Sequence, residues 1–251
     1  MSLQDRVMVI TGAGTGIGKM CAIQAVKRGA KIAVVDIDAR SAEKSVKDIQ
    51  AMGGDCISVR ADISSERDTI EMAKTVHDHY ERIDVLVNNA ALWGVLTRKP
   101  FHETPVEEWD KVMGVNLRGP FLTAKAVFPF MRERKYGKII NISSTTAFFG
   151  SPFFLHYVTS KAGIMGMTKS MAREVGEYGI CVNAVAPGFT LTEGSLSNTG
   201  EERALQLASQ TILKRVAQPV DIVGAILFLA DSDSDFMTGQ TIVVDGGMVL
   251  H

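Results

Sequence analysis

Cysteine is scarce in this 251-residue chain, which has three: Cys21, Cys56 and Cys181. They stand far apart and in odd number, without the CxxC spacing or histidine cluster of a zinc site, so neither a disulfide framework nor a metal is expected. No run approaches the roughly 20 apolar residues of a membrane span, and the opening "MSLQDRVMVIT" lacks the apolar stretch of a secretory leader. Charge of either sign is not in excess either. With 27 basic and 28 acidic residues the net charge is −1, which gives no electrostatic reason to expect nucleic acid or an anionic membrane as partner. A cytoplasmic protein with a small-molecule partner is expected. Linkers and low-complexity tracts are absent too, and 46% hydrophobic residues can fill a sizeable core, so residues 1–251 are expected to form a single domain.

Seven short apolar runs are present: 6–11, 31–36, 56–61, 83–89, 137–143, 180–186 and 241–245. Most are nearly continuous in Val, Ile and Leu, as strands buried on both faces of a parallel sheet should be. The segments between them, such as "KMCAIQAVKRG" and "AEKSVKDIQAMGG", have helical spacing and end in glycine. The alternation predicts an α/β fold, a doubly wound seven-stranded parallel sheet flanked by helices, with ligands collecting beyond the carboxyl ends of the strands.

Just after the first run stands "TGAGTGIG", with Gly12, Gly16 and Gly18 spaced as GxxxGxG and a helix expected from about Ile17. Such glycines let the backbone approach a pyrophosphate at a helix N-terminus, although a plain tight turn uses the same residues. Asp36 ends the second run, 18 residues past Gly18. That is close to the offset at which a carboxylate reaches the adenine-ribose hydroxyls, and a helix cap is the alternative. Its charge would repel a 2′-phosphate, and neither Thr15 nor Ile37 supplies a compensating cation, so NAD is expected over NADP. Asp62 and Ile63 follow the third run, and Asn88, Asn89 and Ala90 follow the fourth. Their polar groups could hold the adenine amine and brace the loops, while "DISSE" also reads as a helix cap and "NNA" as a turn.

Ser144 follows the fifth run in "NISS", and "YVTSK" places Tyr157 13 residues later, with Lys161 one helical turn beyond. Together with "TGAGTGIG", "NNA", Asn116 in "GVNLRGPF", "APGFTLT" and "TGQTIVVDGG", this order and spacing resembles the short-chain dehydrogenase/reductase family over essentially the whole chain. The resemblance implies an oxidoreductase and a homotetramer. It also implies Tyr157 as general acid/base, Ser144 as substrate orienter, Lys161 as ribose binder and pKa tuner, and Asn116 as support for a proton-relay water. Pro187, Gly188, Thr190 and Thr192 resemble the segment that meets the nicotinamide carboxamide. Ala91 departs from the pattern, since the family usually has glycine there, and its methyl is expected to crowd the cofactor slightly. The "STT" after "NIS" and the "GGMVLH" terminus look most like members acting on aryl or cyclic secondary alcohols such as 1-phenylethanol.

The chemistry also follows from the residues. At i and i+4, Tyr157 and Lys161 share one helical face. Bringing a phenol from about 10 toward about 7 takes ~4 kcal/mol of phenolate stabilisation, which an ammonium and a cationic nicotinamide could share. Ser144 would hold the substrate oxygen, with Ser143 facing away, and a shift of register would exchange the two. Phe148, Phe149, Phe153 and Phe154, with Leu92, Trp93 and Leu96, include candidate walls of a substrate cleft, at least half of them expected to be core or interface. His156 is expected to start the helix or sit at an interface. The loop 191–208 is expected to close over the site, its Glu193, Glu201 and Glu202 disfavouring an anion and Arg203 offsetting them. A 3-oxoacyl-thioester reductase shares nearly all these motifs, and a nucleotide-binding protein without turnover is the remaining alternative.

Overall fold

The computed structural model describes residues 2–195 and 200–250; residues 1, 196–199 and 251 lie outside it, as do the side chains of Glu201 and Arg203. Each expected apolar run forms a strand whose ends fall within two residues of those read from the sequence: β1 Val7–Thr11, β2 Lys31–Asp36, β3 Cys56–Arg60, β4 Val85–Asn88, β5 Gly137–Ile142, β6 Ile180–Pro187 and β7 Thr241–Val244. They pair in parallel in the order β3-β2-β1-β4-β5-β6-β7, with Val9 opposite Ala33 on one side and Leu86 on the other.

The helices, in chain order, are α1 Gly16–Val26, α2 Ala39–Gln50, α3 Glu66–Tyr80, α4 Val106–Met113, α5 Gly119–Glu133, α6 Thr146–Phe149, α7 Leu155–Val175, α8 Glu201–Gln210 and α9 Pro219–Ala230. Right-handed crossovers lay them on both faces of the sheet. Successive side chains of β1 therefore enter different cores. Met8 and Ile10 pack with Cys21, Ala22 and Ala25 of α1, Val46 and Ile49 of α2, and Ile226 and Leu227 of α9. Val7 and Val9 pack with Met72 and Val76 of α3, Val127 and Met131 of α5, and Ala172 and Val175 of α7. This two-sided burial is why the strands read as continuous rather than alternating apolar runs.

Helix ends refine the sequence reading. The glycines expected as caps come after the last helical turns: Gly29 and Gly53 take φ of 88° and 81° beyond α1 and α2. α1 starts one residue before Ile17. Between α4 and α5 the backbone loosens into one π-helical turn, Gly114–Arg118, with Asn116 at its centre. No helix among the described residues is long and apolar enough to cross a membrane.

At the amino ends of the strands Asp84, fully buried, clamps β1 to β4. Its Oδ2 accepts from the Val7 amide at 2.9 Å, and Arg82 closes a bidentate pair at 2.7 Å to each oxygen. Removing the carboxylate strands a buried amide as well as breaking the pair. Asp84→Ala is expected to cost about 2–4 kcal/mol in urea unfolding while activity per folded molecule is retained, because the clamp lies at the end of the sheet remote from the cavity described next.

Candidate active site

A cavity of about 1020 Å³ opens beyond the carboxyl ends of the strands, on either side of the β1–β4 pair. The glycine turn shapes one wall. Gly12 has φ 63°, and a Cβ there would come within 2.8 Å of the Ala90 Cα, while one on Gly18 would collide with the Gly12 carbonyl. Gly18 thus packs the turn onto α1 and does not line the cavity, whereas Gly12, Thr15, Gly16 and Ile17 do. Asn89 holds this turn from the neighbouring strand: its Nδ2 donates to the carbonyls of Thr11 at 2.9 Å and Gly12 at 3.0 Å. Thr11 returns the contact, its Oγ1 accepting from the amides of Asn89 and Ala90 at 3.1 Å each. Sequence reasoning passed over Thr11 because a threonine closing a strand carries no signal of its own.

Asp36 stands at the end of β2 on the cavity wall, and its Oδ2 accepts from the Gly14 amide at 3.0 Å. A Cβ on Gly14 would lie 2.9 Å from that same oxygen, so Gly14, which the spacing pattern skipped, sets how close the carboxylate sits to the turn. The cap of α2 is Asp38, not Asp36. Asp62 and Ile63 line the same end of the cavity. Asp62 accepts from the Ser64 amide and hydroxyl at 2.9 and 2.7 Å, and the cap of α3 is Ser65. Asn88 turns away into a buried network with Asn141 and Thr123. A turn with no room for side chains, beside a carboxylate one strand away, fits a dinucleotide.

Toward β5 and β6 the cavity is lined by Ser144, Tyr157, Lys161, Pro187, Gly188, Thr190 and Thr192. Tyr157 lies in the first turns of α7. Its phenol, in contact with Ser144, is pushed up to about 12 by burial, against which a hydrogen bond with Ser144 acts. Lys161 is pushed down from 10.5 to about 8, also by burial. Its Nζ donates to the Ile142 carbonyl at 2.8 Å and lies 5.7 Å from the centre of the Tyr157 ring. In the protein alone desolvation thus opposes both charged forms. Ser143 spends its hydroxyl on the Lys161 carbonyl at 2.7 Å. Gly188 is held against β7 by its amide, which donates to the Val244 carbonyl at 2.9 Å. Thr192 approaches the glycine turn from across the cavity, within 3.5 Å of where a Gly16 Cβ would lie.

Asn116 is buried and outside the cavity lining. Its amide clamps the loop after β4, accepting from the Leu92 amide at 2.7 Å and donating to the Leu92 carbonyl at 3.1 Å. Ala91 lies on the cavity wall. Phe149 and Phe154 line the cavity with Leu92, Trp93 and Leu96, and Phe148 and Phe153 do not. Phe154 is buried and stacks on Tyr157 at 4.8 Å, with Trp93 against both rings. Phe153 is exposed and takes φ 64°, a left-handed conformation held by the Lys99 amide on its carbonyl at 3.0 Å. His156 is buried at the start of α7: Nδ1 accepts from the Tyr157 amide at 2.8 Å and Nε2 meets Glu108 at 2.9 Å.

Leu207 and Gln210 of α8 and Met248 also line the cavity. The Asp245 carboxylate holds the Met248 segment through the amides of Gly247, Met248 and Val249 at 2.8–3.2 Å. Of the acids expected to guard the opening, Glu193 and Glu202 are exposed and do not line the cavity. Residues 196–199 of that loop, and the side chains of Glu201 and Arg203, lie outside the described residues.

A family model described as Enoyl-(Acyl carrier protein) reductase matches residues 12–249. A 3-oxoacyl-[acyl-carrier-protein] reductase of Synechocystis sp. is 39% identical over 251 residues, covering 99% of each chain. A (2S)-[(R)-hydroxy(phenyl)methyl]succinyl-CoA dehydrogenase subunit of Thauera aromatica is 38% identical over 250 residues, covering 100% of this chain and 99% of the relative. A crystal structure of 3-ketoacyl-(acyl-carrier-protein) reductase from Brucella melitensis complexed with NADH superposes with a TM-score of 0.93 at 30% identity, over 99% of this chain and 100% of that one.

The buried ammonium has a measurable consequence. Folding lowers the Lys161 pKa from 10.5 to about 8, so the unfolded chain binds the extra proton above pH 8 and wild-type stability should rise between pH 8 and 9. Cys21 and Cys56, whose thiols burial pushes up from 9.0 to about 12 and about 11, oppose this above about pH 9, and Tyr157 does so above about pH 10, because each ionises first in the unfolded chain. Lys161→Met, without added nucleotide, is expected to be about 1–2 kcal/mol more stable than wild type at pH 7 and to lack the rise. Thermal unfolding from pH 7 to 9 measures both.

Proposed function

Because the chain belongs to the short-chain dehydrogenase/reductase family, we propose that it is an NAD-dependent oxidoreductase of secondary alcohols and ketones, aromatic or alicyclic. The observation that carries this reading is the placement of Ser144, Tyr157 and Lys161 in one cavity with Asp36. The whole chain would act as one catalytic domain, in a cytoplasmic homotetramer. A nicotinamide cofactor, when bound, accepts or donates the hydride. Gly12, Thr15, Gly16, Ile17, Asp36, Asp62, Ile63, Asn89, Ala90, Pro187, Gly188, Thr190 and Thr192 would hold it, with Tyr157 and Lys161 at its ribose.

In the reducing direction Tyr157 donates its Oη proton to the carbonyl oxygen, which Ser144 holds in place. A phenol raised by burial is fully protonated at neutral pH and ready to donate. In the oxidising direction it must ionise, and going from about 12 to about 7 takes roughly 7 kcal/mol. The Lys161 ammonium, 5.7 Å from the centre of the Tyr157 ring, contributes part of this. Ser144 and positive charge on the oxidised nicotinamide must provide the remainder. Trp93, Leu96 and Phe154 exclude water around the phenol and favour an apolar substrate body.

The second reading is a 3-oxoacyl-[acyl-carrier-protein] reductase, the name carried by the Synechocystis relative. Asp36 bears on the choice, since its carboxylate would face a 2′-phosphate across the Gly14 amide. Wild type is expected to favour NAD over NADP by at least tenfold in kcat/KM, and Asp36→Ala to narrow that gap several-fold, by about the 1–2 kcal/mol of a like-charge contact. Equal use of both cofactors by wild type would remove the assignment. Tyr157→Phe is expected to lower kcat for 1-phenylethanol oxidation at least 100-fold while NADH binding, followed by fluorescence, persists, because the ring still packs on Phe154 but the proton is gone.

A further inference from the structure

Residues 144–146 form a short turn in which the two threonine hydroxyls have different partners. Thr145 is fastened to the end of β6, its amide donating to the Pro187 carbonyl at 3.0 Å and its Oγ1 to the same oxygen at 3.3 Å. Thr146 is turned back on Ser144. Its amide donates to Ser144 Oγ at 3.2 Å, and its own Oγ1 lies 3.0 Å from that oxygen. Ser144, Thr146 and Tyr157 all line the cavity.

A hydroxyl has one proton to donate and two lone pairs with which to accept. The Thr146 amide can only donate, so it takes one lone pair of Ser144. Among the described residues Ser144 Oγ is the one acceptor that the Thr146 hydroxyl reaches, whereas the Ser144 proton has another acceptor in the Tyr157 oxygen. All three hydrogen bonds form together only when Thr146 donates and Ser144 directs its proton into the cavity. We infer that Thr146 is a positioning residue: by filling both lone pairs of Ser144 it makes that hydroxyl an obligatory donor, to the Tyr157 oxygen in the free protein and to the substrate oxygen in the complex. This rests on the reading of Tyr157 as general acid/base and adds a residue to it. Ser144 then has no lone pair for the alcohol proton, which leaves the Tyr157 oxygen as its acceptor in the oxidising direction. A hydroxyl that accepts twice is also polarised into a stronger donor, and the Ser144 hydrogen bond acts to lower the phenol against burial.

Thr146→Val keeps the side-chain shape and the amide but removes the hydroxyl, while Thr146→Ser keeps both donors. For oxidation of 1-phenylethanol with NAD, Thr146→Val is expected to move the midpoint of the kcat–pH profile up by about one unit and to lower kcat below that midpoint about tenfold, with KM changed less than about twofold. Thr146→Ser should restore both. An unchanged pH profile in Thr146→Val overturns the inference, with or without a rise in KM, and so does an equal defect in Thr146→Ser. Neutron diffraction from wild-type crystals exchanged into heavy water reads the same contact without turnover. The Thr146 deuteron is expected to point at Ser144 Oγ and the Ser144 deuteron at Tyr157, and a Ser144 deuteron directed at Thr146 overturns the inference. If 1-phenylethanol is not oxidised, the secondary-alcohol reading fails, and the neutron map still decides Thr146.

Discussion

The parallel pairing of β1 with β4 is the constraint on which the rest depends. The chain runs outward from β1 through β2 to β3, then returns across the sheet to β4 on the other side of β1. Loops leaving β1 and β4 must therefore diverge, and a crevice opens between them. Both ends of this pair are fastened. Asp84 ties the amino ends through the Val7 amide, and Asn89 and Thr11 tie the carboxyl ends around the glycine turn. A side-chain amide satisfying two turn carbonyls fixes the turn more firmly than its glycines could, because glycine by itself confers freedom rather than a conformation.

The other end of the cavity is organised by a conflict between burial and charge. Tyr157 and Lys161 are both withdrawn from water, and desolvation drives both toward their neutral forms. Stability alone would favour apolar residues here. Their retention next to Ser144 fits a site where function is maintained at the expense of stability. Surrounding groups limit that cost: the Ile142 carbonyl accepts from the ammonium, and His156, bridged to Glu108, accepts from the Tyr157 amide at the helix start.

The aromatic cluster divides according to what each ring meets. Phe154 and Trp93 enclose Tyr157, Phe149 reaches the cavity from an exposed position, and Phe153 points outward from a left-handed backbone. Four phenylalanines within seven residues thus have different surroundings, and residue type does not distinguish them. The same holds for the two adjacent serines, of which Ser143 meets the Lys161 carbonyl and Ser144 the phenol.

The sequence by itself determined the seven strands, their parallel arrangement and the positions of Asp36, Ser144, Tyr157 and Lys161 at strand ends and on one helix face. These follow from local rules: side-chain period, turn chemistry and spacing along one element. It also conveyed the glycine turn, though not that Gly18 packs against Gly12 while Gly14 sets the distance to Asp36. Tertiary structure alone decided that Asn116 clamps Leu92, that Arg98 and Met248 reach the cavity, and that burial pushes the phenol up in the protein alone. Each of these depends on groups far apart in the chain and on how completely they exclude water. Desolvation is a property of the assembled surroundings, and no spacing along a sequence encodes it.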